Sequence, residues 1–219
     1  MNHVLVLVEG QTEETFVGRI LRPHLWDFGV DVAPTVLVTR RVAAGADLRG
    51  GVSSWARILR DLRPLLGHSG AVAVTTMLDY YGLPGDTPGM DDRPVGSPHQ
   101  RATHVEDAID AALGEPRLRS FLMLHEFEAI LYADPQECGR YLSRSSLAAA
   151  MQRALDECGA PEQVNETPQG APSKRIVAEH PAYRKTLDGP AIAQEIGLSR
   201  IRSVCPHFDE WVTWLESLG

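Results

Sequence analysis

Two apolar runs without polar alternation, each stopped by a carboxylate, constrain this chain more than any other feature. Val4-Leu-Val-Leu-Val8 runs into Glu9-Gly10, and the run from Ala71 to Leu78 ends at Asp79. A strand with one wet face alternates apolar and polar residues, whereas a continuous run fits a strand covered on both faces, as in a parallel sheet. After Gly10 the pattern changes period. Thr12 can cap a helix whose stripe of Phe16, Ile20 and Leu21 faces a core until Pro23 disturbs it.

The same alternation continues. Val30 to Thr39 reads as a second strand. A glycine-rich link (Gly45, Gly50, Gly51) leads to a helix over Ser53 to Leu66, with Trp55, Ile58, Leu59, Leu62, Leu65 and Leu66 at helical spacing. Residues Tyr81 to Thr103 carry Pro, Gly and Asp without periodicity, the composition of a functional loop or lid. Val105 to Leu113 is a short helix, and Ser120 to Leu124 a further strand that runs into His125-Glu126-Phe127-Glu128. From Asp134 onward only helices are indicated, including Leu147 to Leu155, Ile192 to Ile196 and Phe208 to Leu218, with a proline-rich connector over Gly159 to Ser173. The expectation is an α/β fold: a mostly parallel sheet flanked by helices over residues 1–133, and a helical C-terminal part, residues 134–219, packed on that core.

Composition removes several alternatives. A hydrophobic content of 43% in 219 residues fills a core. No apolar run of about 18 residues occurs, and Met1-Asn2-His3 leads straight into a strand, so neither a membrane span nor a secretion signal is expected and the default address is cytoplasmic. Cys138, Cys158 and Cys205 are odd in number and scattered, which suits reduced thiols rather than disulfides or structural zinc. The net charge of -8 repels nucleic acid at long range, so such a substrate needs metal ions, a local basic strip or a basic partner to admit it. Walker, GxSxG and HExxH patterns are missing from the sequence.

The chemistry should lie where the strands stop, since ligands of parallel sheets bind beyond their carboxyl ends. Glu9, Asp79 and Glu126 fall there, and Glu13 sits one helical turn after Glu9. Carboxylates gathered without Lys or Arg neighbours repel one another unless a hard cation such as Mg²⁺ or Mn²⁺ neutralises them. The plainer alternative is that Glu9 and Glu13 complement the positive end of a helix. Glu126 and Glu128 are two apart and cannot face one point on a helix, so only Glu126 is expected to be a ligand. Lys174, in a helix's first turn, could neutralise charge developing in a transition state. His125 is a further ligand or proton-shuttle candidate. Arg57, Arg60 and Arg63 form a row that suits phosphates or simply solvent, and Tyr80, Tyr81 and Trp55 could stack on bases or simply pack.

Val8-Glu9-Gly10-Gln11-Thr12-Glu13 followed by a strand ending at Asp79 resembles the Toprim signature, closest to the branch shared with OLD-family nucleases. Leu78-Asp79-Tyr80-Tyr81-Gly82-Leu83-Pro84, His125-Glu126-Phe127-Glu128-Ala129 and Ala171-Pro172-Ser173-Lys174-Arg175 are similar to a Toprim-like bacterial family often encoded beside AAA-type ATPases in defence regions. The resemblance implies phosphodiester hydrolysis of DNA or RNA with Mg²⁺ or Mn²⁺ held by Glu9, Glu13 and Asp79, an AAA-type ATPase partner, and the option of a homodimer. It departs from the Toprim pattern at Tyr81, where a second Asp is usual; the options left open are substitution by Glu126 or Asp86, a one-metal site, or binding without cleavage. A non-catalytic module that docks a partner or nucleotide, and a small phosphohydrolase, are the alternative readings.

Overall fold

A computed structural model describes residues 1–37, 54–164 and 170–219. Strand β1 (Asn2–Val8) leads through Glu9 and Gly10 into helix α1 (Gln11–Phe16). The helix is capped at Gly10, not by Thr12, which is buried. A π turn over Val17–Leu21 joins it to α2 (Arg22–Trp26). Pro23 therefore does not end the helical run; its missing N–H breaks the regular ladder, and the preceding turn widens.

Strand β2 (Val30–Val36) follows, then α3 (Trp55–Leu66) and β3 (Ala73–Asp79), every residue of which is buried. The ends expected at Thr39 and Ser53, and the glycine-rich link between them, lie outside the described residues. Helix α4 (Pro98–Leu113) begins seven residues earlier than hydrophobic periodicity indicates. Its start is set by Ser97, which accepts a hydrogen bond from the Gln100 backbone while the Gln100 side chain accepts from Ser97 N–H, with proline at the first helical position. The long loop is thereby shortened to residues 83–97.

The strand expected over Ser120 to Leu124 is two short pieces, β4 (Leu118–Arg119) and β5 (Leu122–Met123), both paired with β3. The remainder is helical: α5 (Pro135–Tyr141), α6 (Ser145–Cys158), α7 (Pro172–Glu179), α8 (Lys185–Ile196), α9 (Leu198–Val204) and α10 (Pro206–Glu216). Among the described residues, no helix is long and apolar enough to cross a membrane.

All strand pairs are parallel, in the order β2-β1-β3-β4 with β5 continuing beside β3. The architecture is thus α/β, a parallel sheet flanked by helices with a helical C-terminal region. One face of the sheet, with Val4, Val6, Val8 and Met77, is covered by α1 and α2 and by C-terminal residues such as Ile192, Phe208, Trp211 and Leu215. Residues before and after position 134 thus share one apolar core. The other face, with Leu7, Val74 and Leu78, is covered by α3 and α4 through Ile58, Leu62, Ala102, Val105 and Ile109. Both faces of β3 and of the carboxyl half of β1 are dry, which accounts for their lack of polar alternation, whereas edge strand β2 exposes Ala33 and Thr35.

Successive connections leave β1 in one direction to β2 and leave β3 in the other to β4, so the topological switch point lies between β1 and β3. Those are the two strands that end in Glu9 and Asp79.

Candidate active site

The adjacent ends of β1 and β3 bring Glu9 and Asp79 together. Glu9 Oε2 accepts the Asp79 backbone N–H at 3.1 Å, and Gly82 leaves room for that carboxylate: a Cβ there would lie 3.3 Å from Glu9 Oε1. Glu13, on the first turn of α1, turns back so that its Oε2 accepts the Gly10 N–H at 2.9 Å. Asp79 Oδ1 accepts the Phe127 N–H at 3.0 Å, which ties the end of β3 to the segment after β5.

That segment holds both Glu126 and Glu128. A regular helix would point them apart, but Glu126 has extended backbone (φ -157°, ψ 167°), and the 3₁₀ turn Phe127–Ala133 begins only after it. Both carboxylates therefore reach the same ammonium, that of Lys185. Lys185 Nζ lies 2.9 Å from Glu128, 3.6 Å from Glu126 and 4.0 Å from Asp79. Glu128 is fully buried and also accepts the Tyr183 hydroxyl at 3.2 Å. Glu126 accepts both the N–H (2.6 Å) and the hydroxyl (2.9 Å) of Ser173, at the start of α7.

The electrostatics follow from placement. Burial pushes the Glu9, Glu13 and Asp79 carboxyls above their ordinary values, Asp79 strongly; the charge of Glu9 adds to the effect at Asp79, and that of Glu13 at Glu9. Glu128 is raised to about 7, by burial first and then by Glu126, against the opposing pull of Lys185. At Lys185 burial opposes the charge, but Glu128, Asp79 and Glu126 together outweigh it and hold the ammonium protonated. The donors gathered around the Lys185 ammonium are all hard carboxylate oxygens, the donor type that Mg²⁺ or Mn²⁺ takes. Glu9, Glu13, Asp79 and Glu126 gather at this edge with Lys185 among them, whereas the described group whose ligand atoms all lie within 4.8 Å of one another is elsewhere in the fold.

Of the sequence-based candidates, Glu9, Glu13, Asp79 and Glu126 share this site. Lys174 is exposed on the first turn of α7, next to Ser173, and Lys185 lies within ion-pairing distance of Asp79, Glu126 and Glu128. Asp86 is engaged elsewhere, accepting the Trp55 N–H at 2.9 Å at the start of α3. His125 sits at φ 71°, buried, and burial lowers its imidazole below the ordinary value. Tyr81 is half exposed beside the site, while Tyr80 is buried with its hydroxyl accepting from Arg93. Arg60 is paired with Asp61.

Sequence reasoning missed Lys185. The signal was present: a lysine at the first position of a helix opposes the dipole and asks for an anionic partner. Gly189 and Pro190 masked the start of α8, so the periodic pattern showed only its last turn.

Comparison with curated proteins and with solved structures gives no match. A family model, however, matches residues 8–216, from the end of β1 to the last helix, and so includes every residue of this site. The chain belongs to the family described as domain of unknown function DUF4276.

Proposed function

We propose that this protein is a Mg²⁺- or Mn²⁺-dependent nuclease of the Toprim type that hydrolyses phosphodiester bonds of DNA or RNA. The observation that carries the reading is the meeting of Glu9 and Asp79 at the switch point, with Glu13 and Glu126 beside them. A bound dication would polarise the phosphoryl group and acidify the attacking water. Glu9, Glu13 and Asp79 would hold it, with Asp79 fixed by the Phe127 N–H and Glu9 by the Asp79 N–H.

Lys185, whose side chain is 41% exposed, is the group able to meet a phosphate oxygen from the protein side. Glu128, which also accepts the Tyr183 hydroxyl, pairs with it. The net charge of -8 makes a basic partner useful for bringing a polyanion to this site, and an AAA-type ATPase is the partner proposed on the Toprim resemblance.

The test is incubation of purified protein, alone and with a neighbouring ATPase, with DNA and RNA in Mn²⁺. Cleavage should be lost in Asp79→Asn and Glu9→Gln. Cleavage that survives both would exclude this site.

A second reading, a non-catalytic docking module, is favoured by one observation. Lys185 already supplies a cation to Asp79, Glu126 and Glu128, as a permanent internal counterion would. Calorimetry separates the two: a nuclease site gives Mn²⁺ binding that depends on Glu9, and a docking module gives none.

A further inference from the structure

A second cluster lies at the β4–β5 edge of the sheet, where α4 meets α10. His99 and His207 are each the second residue of their helix, in Pro98-His99 and Pro206-His207. Their rings pack edge to face, with centroids 4.7 Å apart. Glu210, one turn along α10 from His207, brings Oε2 to 3.8 Å from His99 Nε2. His99, His207 and Glu210 each offer one ligand atom, and these atoms all lie within 4.8 Å of one another; among the described residues they are the group of three or more that does so.

His207 makes this more than a chance grouping. Its side chain is 5% exposed, and its Nε2 is engaged at 2.9 Å by Glu106 Oε1, while Nδ1 is buried without a hydrogen-bond partner. A buried ring nitrogen left unpaired costs stability unless something occupies it. Glu106 is itself held by the Leu122 N–H at 2.7 Å, and Phe121 stacks on the imidazole, so the ring's orientation is fixed from two sides. A carboxylate on one imidazole nitrogen with the other left open is the arrangement that orients metal-bound histidines.

We propose that His99, His207 and Glu210 form a site for a transition-metal dication of the Zn²⁺ type, distinct from the carboxylate cluster, with Glu106 as the positioning residue for His207. Two imidazoles and one carboxylate are a zinc-type donor set, softer than the all-oxygen set at Glu9 and Asp79. Ligand atoms around tetrahedral zinc stand about 3.4 Å apart, from metal bonds of about 2.0 to 2.1 Å. The contraction required is modest, and the side chains of His99 and Glu210, 38% and 60% exposed, are free to turn. Three protein ligands leave a fourth position open. His207 and Glu210 also line a cleft of about 550 Å³ together with Arg119 and Trp214. The ion would also clasp α4, on one face of the sheet, to α10 on the other.

The site is tested by titrating the metal-free full-length protein with Zn²⁺ by calorimetry and with Co²⁺ followed by its visible absorption. The variants are His99→Ala, Glu106→Gln and Glu9→Gln, with thermal melts verifying that each is folded. In excess Mg²⁺, which occupies the carboxylate cluster, one Zn²⁺ per chain is expected, with a four-coordinate Co²⁺ spectrum. His99→Ala should weaken binding at least tenfold, Glu106→Gln by about 10- to 100-fold, and Glu9→Gln should leave it unchanged. Absence of Zn²⁺ binding, binding that survives His99→Ala, or binding lost in Glu9→Gln would each overturn the proposal. Because Glu9→Gln removes the other site, failure here is distinguishable from failure of the nuclease reading.

Discussion

Replacing Lys185 with methionine removes the cation from the carboxylate site while keeping most of its apolar stem. Its effect is set by Glu128, which is fully buried and titrates at about 7 with the ammonium present. Lys185 is the first of the influences that lower that value, so its loss pushes the Glu128 carboxyl higher still. The raised value means that the folded protein binds a proton the unfolded chain has already released. Stability therefore falls as pH rises from the unfolded value near 4.5 towards 7, and in the variant the decline continues beyond 7.

For one group the slope is about 1.4 kcal/mol per pH unit. Lys185→Met should thus lie about 1 kcal/mol further below wild type at pH 8 than at pH 7, and close to its pH 6 deficit at pH 7. For a chain of this size that corresponds to an additional loss of about 2 to 4 °C in Tm. The assay is thermal unfolding in EDTA at pH 6, 7 and 8. A deficit that is constant across the three would show that Lys185 does not hold Glu128 ionised.

Other perturbations have definite outcomes. Gly139→Ala would place a Cβ 2.7 Å from the Ala148 methyl and 2.9 Å from the Arg144 carbonyl, where α5 meets α6, and should cost about 1 to 3 kcal/mol in a urea unfolding curve. Thr75→Val strands the Trp211 indole N–H, which donates to Thr75 Oγ1 at 3.0 Å; the expected cost is about 1 to 3 kcal/mol, read in the same way. Gly82→Ala crowds Glu9 and should weaken Mn²⁺ binding in calorimetry while leaving Tm nearly unchanged.

The parallel sheet was legible because β1 and β3 are largely dry on both faces, so Val4–Val8 and Ala73–Leu78 show no alternation, and because each of the two ends at a carboxylate. That arrangement also made Glu9, Glu13 and Asp79 visible as one site. Periodicity failed where local chemistry sets the structure. Helix α4 begins at a Ser97–Gln100 capping box inside a stretch rich in proline and glycine, and Glu128 joins the site only because Glu126 is extended. Lys185 lies about a hundred residues after Asp79 and belongs with it only through the packing of α8 on α1, which sequence spacing does not encode.

The claim on which the nuclease reading rests is that the ends of β1 and β3 hold a dication. Anomalous diffraction from a crystal soaked in Mn²⁺ tests it most directly. The account expects a manganese peak within bonding distance of oxygens from both Glu9 and Asp79. A crystal with manganese bound elsewhere, or with Lys185 still seated among the carboxylates and no peak beside them, would contradict it.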